Sequence, residues 1–252
     1  MKFQIISDLH LESYNKLPKI RDIITPKAPN LILAGDICFI KHPFFIPFFQ
    51  KLSPLFKKII YIFGNHEYYI AGDYQIETIA AIEMLARKKL SPFKNIHILQ
   101  KSFIKLDDIV ILGCTLWSYL SKKDFVYGMQ MLSASSFVRH NNTILLHPSI
   151  SNELYFNHKA WLKDMLEVFG NKKVIVVTHY LPTIKAIDNK YTIFNKSYYS
   201  NCDNLVERAT IWCCGHTHDQ KIIHVGETPL YINAVGRKQE RKNEPYNMIF
   251  II

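Results

Sequence analysis

The chain has no apolar run approaching the ~20 residues that a membrane span requires, and no basic segment leads into a hydrophobic stretch and a small-residue cleavage site near its N-terminus. Neither membrane insertion nor secretion is expected, and the reading is a cytoplasmic protein. Cysteine is sparse. Cys38, Cys114, Cys202, Cys213 and Cys214 make an odd count without C-x-x-C spacing, which argues against a disulfide framework and against a zinc ribbon. Cys213 and Cys214, inside an apolar run, read as small core filler. Internal repeats and low-complexity tracts are absent as well. Acidic residues are outnumbered, 21 Asp+Glu against 31 Lys+Arg, for a net charge of +10. Such a field favours anionic partners, nucleotides or nucleic acid among them. The cations are scattered in pairs such as Lys57-Lys58, Lys122-Lys123 and Lys172-Lys173, so solvated faces are the preferred reading over a nucleic-acid stripe.

What is present is 252 residues of ordinary globular material, 48% hydrophobic and 21% charged, enough for one α/β domain over 1–252 with a sizeable core. The stretch that organises it is Leu31-Ile32-Leu33-Ala34-Gly35-Asp36. An apolar run too short for a free-standing helix reads as a buried strand, and a buried strand ending on Gly and Asp presents an acid at the carboxyl edge of a sheet. The construction recurs. Ile5-Ile6-Ser7 leads into Asp8-Leu9-His10, Tyr61-Ile62-Phe63 into Gly64-Asn65-His66-Glu67, Val176-Val177-Thr178 into His179, and Trp212-Cys213-Cys214 into Gly215-His216-Thr217-His218. In extended backbone residues i and i+2 share a side, so Asp8 with His10, and His216 with His218, can offer paired donors to one cavity.

Between these tips the periodicity is coarser. A short helix pattern covers 17–24, a Phe-rich helix is expected within 43–57, and 74–89 carries the clearest amphipathic helix. Three short strands are expected at 96–99, 102–106 and 110–113, the last two joined by Asp107-Asp108, as one antiparallel patch. Periodicity fails over 117–155, the candidate for a substrate-facing cap. His140, His147 and His158, there or nearby, read as surface or packing histidines. Helices are expected at 156–169 and 204–209, and closing strands at 220–225, 229–233 and 248–252.

Collected, the strand tips supply Asp8, His10, Asp36, Asn65, His66, His179, His216 and His218. Carboxylate and neutral imidazole suit divalent Zn, Mn or Fe, and two cations about 3.5–4 Å apart need a shared carboxylate to damp their repulsion. In this order, Asp-x-His, Gly-Asp, Gly-Asn-His-Glu, a lone His and Gly-His-x-His resemble the calcineurin-like metallophosphoesterases. Thr115-Leu116-Trp117 and Thr178-His179-Tyr180-Leu181-Pro182 look like a small, bacterial-type phosphoesterase branch of that superfamily.

The resemblance implies a four-layer α/β/β/α sandwich with two central mixed β-sheets flanked by helices. It places Asp8, His10 and His218 on one metal and Asn65, His179 and His216 on the other, with Asp36 bridging. It further implies two divalent ions, Mn foremost with Zn, Fe or Ni as alternatives, which activate a bridging water, while His66 protonates the leaving oxygen as general acid. Glu67 reads as support rather than catalysis. Phe39, three residues after Asp36, stands where phosphoprotein phosphatases have Asp and purple acid phosphatases a ligating Tyr, so a ferric tyrosinate centre is disfavoured. What orients His66 is left open between Asp73 and a backbone carbonyl. Arg237 is a candidate contact for a substrate phosphate. The expected substrate is a small phosphoester or nucleotide, phosphodiesters foremost, with a nuclease or a catalytically inactive binding module of the same fold as rivals; the sequence sets no oligomeric state.

Overall fold

The computed structural model describes residues 1–69, 78–125, 148–187, 197–241 and 246–252, with the backbone of 139–140 and 143–144. Its strands are β1 (Lys2–Ile6), β2 (Asn30–Ala34), β3 (Lys58–Ile62), β4 (Ile96–Ile98), β5 (Ser102–Leu106), β6 (Ile109–Cys114), β7 (Arg139–His140), β8 (Thr143–Ile144), β9 (Lys173–Thr178), β10 (Ile211–Cys214), β11 (Gln220–Val225), β12 (Thr228–Asn233) and β13 (Ile249–Ile251). One five-stranded sheet has the order β13-β1-β2-β3-β4, a six-stranded sheet the order β11-β12-β10-β9-β6-β5, and β7 pairs with β8 alone. Both larger sheets are mixed. Their inner strands are parallel, while β13, β11 and β5 join antiparallel at the edges.

The runs are apolar on both faces because both faces are covered. Phe3, Ile5, Ile32, Ile60 and Ile62 of the first sheet meet Ile111, Ile175, Val177, Ile211 and Cys213 of the second in a layer between them. Their alternate neighbours, Ile6, Leu31, Leu33, Tyr61, Leu112, Val176 and Trp212, belong to a second cluster that also contains the apolar sides of the helices α1 (Phe45–Leu52), α2 (Ile79–Leu90) and α3 (Pro148–Val168). Each such side chain contributes about 1.5–3 kcal/mol by leaving water, and the period of two divides the contribution between two cores. The α/β/β/α sandwich expected from the resemblance is the observed architecture. Cys213 and Cys214 are core filler on opposite faces of β10, and all five cysteines are buried thiols.

Several local expectations differ. The helix over 17–24 is a single 3-10 turn, Ile20–Asp22, since Pro18 and Pro26 leave no room for a longer one. α1 tolerates Pro47 because it falls in the first turn, where the missing N–H has no intrahelical partner. α2 begins at Ile79, with Thr78 accepting from Ala81 N–H at 3.1 Å as its cap; 74–77 lie outside the described residues. β4 does not join β5 and β6 in one patch. It pairs parallel with β3 in the first sheet, and the chain crosses to the second sheet at Leu99–Ser102, with Lys101 at φ 47°. The cap expected over 117–155 is helical from Pro148 onward, where α3 starts eight residues before the anticipated helix; 126–138, 141–142 and 145–147, including His147, lie outside the described residues. The helix at 204–209 is one turn, α4 (Asp203–Val206).

Candidate metal centre

The carboxyl ends of β1, β2, β3, β9 and β10 meet at one edge of the sandwich, and the sheets are stitched together there. Ser7 N–H donates to Asn233 carbonyl at 3.1 Å and Val235 N–H to Ser7 carbonyl at 3.0 Å, which ties the tip of β1 to that of β12. Asp8 N–H reaches Gly35 carbonyl at 2.9 Å and His10 N–H reaches Asp36 carbonyl at 3.0 Å, so the loops after β1 and β2 run together. Gly35 permits this close approach: it sits at φ 89°, and a side chain on it would meet Gly64 N at 2.6 Å and the His179 ring.

The backbone is strained where the polar tips begin. Among the described residues nine non-glycine residues have positive φ, and five of them are Asp8 (55°), His10 (44°), Asp36 (54°), His216 (75°) and His218 (51°). Concentration of such conformations at one edge marks a functional site held by its surroundings. One brace is Glu67, fully buried. Its Oε1 accepts from Ile37 N–H at 2.7 Å and Tyr61 hydroxyl at 2.8 Å, its Oε2 from Gly64 N–H at 2.7 Å and Asp36 N–H at 3.0 Å.

Seven of the strand-tip residues, Asp8, His10, Asp36, His66, His179, His216 and His218, are linked by direct contacts, and Asn65 precedes His66 in the chain. Asp8, His10 and His218 form one group whose donor atoms lie within 4.8 Å of one another, and Asp36, His179 and His216 form another. Asp36 lies between them: its Oδ2 is 3.3 Å from His179 Nε2, 3.7 Å from His10 Nε2 and 3.9 Å from His66 Nε2, while its Oδ1 accepts His66 N–H at 2.8 Å. His216 N–H donates to both oxygens of Asp8 at 3.1 and 3.0 Å. Arg237 stands apart on the exposed rim, its N–H held by Glu240 Oε2 at 2.8 Å.

The hydrogen bonds on the outer nitrogens decide what the inner ones present. His10 Nδ1 faces Glu12 Oε1 at 3.0 Å, and His218 Nδ1 faces Glu240 Oε2 at 2.7 Å. A carboxylate only accepts, so each Nδ1 carries a proton, and in the neutral ring that leaves Nε2 with a lone pair. Those two Nε2 atoms stand 3.0 Å apart. Two lone pairs at that distance repel unless a proton or a cation takes both. In the second group His179 Nδ1 donates to Ala34 carbonyl at 2.8 Å, and its Nε2 stands 3.2 Å from His216 Nδ1. Asn65 donates through Nδ2 to Tyr69 hydroxyl at 2.9 Å, but its buried Oδ1 has no partner among the described residues. A buried oxygen without a donor is costly, and a cation satisfies it. The donor set fits divalent metal.

Charge is distributed accordingly. Burial would raise Asp36, but His179 and His66 beside it hold the carboxyl well below its usual range. Burial likewise opposes the charge on His179, yet Asp36 and Asp8 raise it to about 9, while burial and the neighbouring His179 push His216 down. For His66 the carboxylates of Asp36 and Glu12 outweigh burial, and its pKa rises. Two site residues escaped the sequence reading. Glu12 bridges His10 and His66, its Oε1 accepting from His66 Nδ1 at 2.9 Å, and this, rather than a backbone carbonyl, is the partner of His66; Asp73 lies outside the described residues. Glu240 backs His218 from 22 residues away. Glu12 had a visible signal in its spacing of two from His10; Glu240 had none.

A two-sheet α/β sandwich with paired imidazole–carboxylate clusters at its carboxyl edge defines a metal-dependent hydrolase site. Residues 1–220 match the family described as calcineurin-like phosphoesterase, and the chain belongs to that family: it is a metal-dependent phosphoesterase. It is 29% identical over 274 positions to uncharacterized protein L509 of Acanthamoeba polyphaga mimivirus, covering 98% of this chain and 95% of the relative. In fold it is similar to phosphopantetheinyl hydrolase from Mycobacterium tuberculosis, with a TM-score of 0.77 at 18% identity over 98% of this chain and 94% of that one. A dimetal phosphatase from Danio rerio aligns with a TM-score of 0.50 at 12% identity over 92% and 86% of the two chains. No helix among the described residues is long and apolar enough to cross a membrane.

Proposed function

We propose that the chain, acting as one catalytic domain, hydrolyses small phosphoesters, phosphodiesters foremost, in the cytoplasm, with Asp8, His10 and His218 holding one divalent ion, Asn65, His179 and His216 the other, and Asp36 shared. The observation that carries this reading is the convergence of imidazole nitrogens, 3.0 Å apart in one group and 3.2 Å in the other, together with the orphaned Asn65 Oδ1. Manganese is the favoured metal, with Zn, Fe or Ni as alternatives, since all accept imidazole and carboxylate. When bound, the ions supply Lewis-acid activation of water and neutralise phosphoryl charge.

The chain's own residues do the rest. Asp36, its carboxyl held ionised by the surrounding imidazoles, is the shared anion. His66, its Nε2 3.9 Å from Asp36 Oδ2 and its ring in contact with Phe39 and Tyr69, carries the proton for the leaving oxygen. Arg237 on the rim meets the substrate phosphate; its charge already reaches Tyr198, whose ring lies 5.1 Å from His216.

The test strips the protein of metal, restores Mn, Zn, Fe or Ni, and compares bis-(p-nitrophenyl) phosphate with p-nitrophenyl phosphate. Asp36→Asn is expected to lose metal and all turnover; His66→Ala keeps its metals and slows by roughly 100-fold. Equal rates in wild type and both variants overturn the reading. The net charge of +10 supports nucleic acid as the substrate instead, and binding that falls steeply with salt is its signature.

A further inference from the structure

Glu12 lies in the 3-10 turn Leu11–Ser13, immediately after the tip of β1. Its Oε1 accepts from two imidazoles at once, His10 Nδ1 at 3.0 Å and His66 Nδ1 at 2.9 Å. The two rings meet edge to face, centroids 4.3 Å apart at 80°. The other oxygen, Oε2, is buried without a partner among the described residues, so these two N–H groups are what hold the carboxylate in place. Because a carboxylate only accepts, both rings are fixed with Nδ1 protonated and Nε2 aimed inward at Asp36, at 3.7 and 3.9 Å. Phe39, which follows Asp36 by three residues, gives His66 only a tilted ring contact at 5.7 Å. The polar orientation of His66 therefore comes from a different loop than the one carrying Asp36.

We propose that Glu12 is a positioning residue with two simultaneous duties: through His10 it sets which nitrogen faces the metal, and through His66 it aims Nε2 at the leaving oxygen. The second duty rests on the reading of His66 as general acid. In that step the bond from phosphorus to the leaving oxygen breaks as one from the attacking water's oxygen forms. The leaving oxygen takes the Nε2 proton of the imidazolium, and the N–H bonding pair stays on the ring, which becomes neutral with Nδ1–H still on Glu12. The proton released by the attacking water goes to solvent, from which His66 is recharged. One carboxylate oxygen thus links the geometry of metal capture to that of leaving-group protonation, although the two rings it holds are 56 residues apart in the chain (66 − 10).

The test uses the full chain with saturating metal and the variants Glu12→Gln, Glu12→Asp, His66→Ala and Glu12→Gln/His66→Ala. Their kcat values are compared on bis-(p-nitrophenyl) phosphate and on diphenyl phosphate, whose phenolate is the poorer leaving group. A misaimed acid penalises the poorer leaving group more. Glu12→Gln is expected to lower kcat on diphenyl phosphate about ten times more than on the nitrophenyl ester, within the ~100-fold range of general acid catalysis. His66→Ala shows the same selective loss, the double variant adds nothing to it, and Glu12→Asp recovers part of it. Metal affinity falls by about 10-fold or more in Glu12→Gln through His10. In the metal-free protein, long-range 1H–15N spectra of labelled histidine show both rings protonated at Nδ1, a signature altered in Glu12→Gln, whose amide presents a donor as well as an acceptor.

An unchanged leaving-group ratio in Glu12→Gln, with or without metal loss, overturns the second duty. Unmoved imidazole signals overturn both. A wild type that hydrolyses neither ester with any metal overturns the parent reading separately, and the spectra then decide the tautomer assignment by themselves.

Discussion

His158 on α3 offers a prediction whose size follows from one hydrogen bond. It is buried, and its Nδ1 accepts Leu116 N–H at 3.1 Å. Leu116 and Trp117 sit at φ 70° and 40°, a strained turn whose indole lies 5.6 Å from Tyr180, which in turn packs on His216 at 4.1 Å. Burial, reinforced by the charge of Lys101, pushes His158 down from 6.5 to about 3. The folded chain therefore keeps this imidazole neutral in a pH range where the unfolded chain protonates it. As pH falls from 6.5 toward 3 the unfolded state binds the extra proton, so the stability associated with His158 is present above 6.5 and is lost progressively down to 3. With those two values the loss is about 2 kcal/mol at pH 5 and on the order of 3 kcal/mol at pH 4. For a chain of this size about 2 kcal/mol corresponds to about 4–8 °C in Tm. His158→Asn keeps an acceptor for Leu116 N–H and removes the titration. Calorimetric Tm values of both proteins, at matched metal and salt, are expected to show the variant less stable at pH 8 and the gap narrowing by about 4–8 °C at pH 5. Parallel Tm curves from pH 8 to pH 5 would refute the buried neutral imidazole.

Two substitutions probe the frame of the site. Gly35→Ala forces a side chain into the left-handed region and against Gly64 N and the His179 ring; a loss of about 1–3 kcal/mol in urea unfolding together with reduced bound metal is expected, and wild-type values for both would contradict the crowding argument. Glu67→Gln replaces one of two oxygens that each accept two donors with an amide that cannot accept. A destabilisation on the order of 3 kcal/mol follows from the stranded N–H and O–H donors, and an unchanged unfolding midpoint would show that Glu67 does not brace the loops.

The sequence by itself determined the elements whose cause is local. Each strand around the site is a five- or six-residue segment with an apolar centre that leads to glycine or a polar ligand, and burial on both faces writes that pattern directly into residue order; the four-residue β10 follows the same rule. The eight tip residues were legible for the same reason, because a strand has only one carboxyl end. The clearest error, the placing of β4 with β5 and β6, arose because short strands carry no mark of the sheet they join. That choice depends on which core the alternate residues enter. Partnerships across the fold were equally silent: Glu12 holding His66 over 54 residues, Glu240 backing His218, Ser7 stitching β1 to β12, and the left-handed turns at Asp8, His10, Asp36, His216 and His218. These depend on hydrogen-bond donors and acceptors meeting only after two sheets have packed, so tertiary structure alone decided which nitrogens of the imidazoles face one another, and with them the chemistry the site can perform.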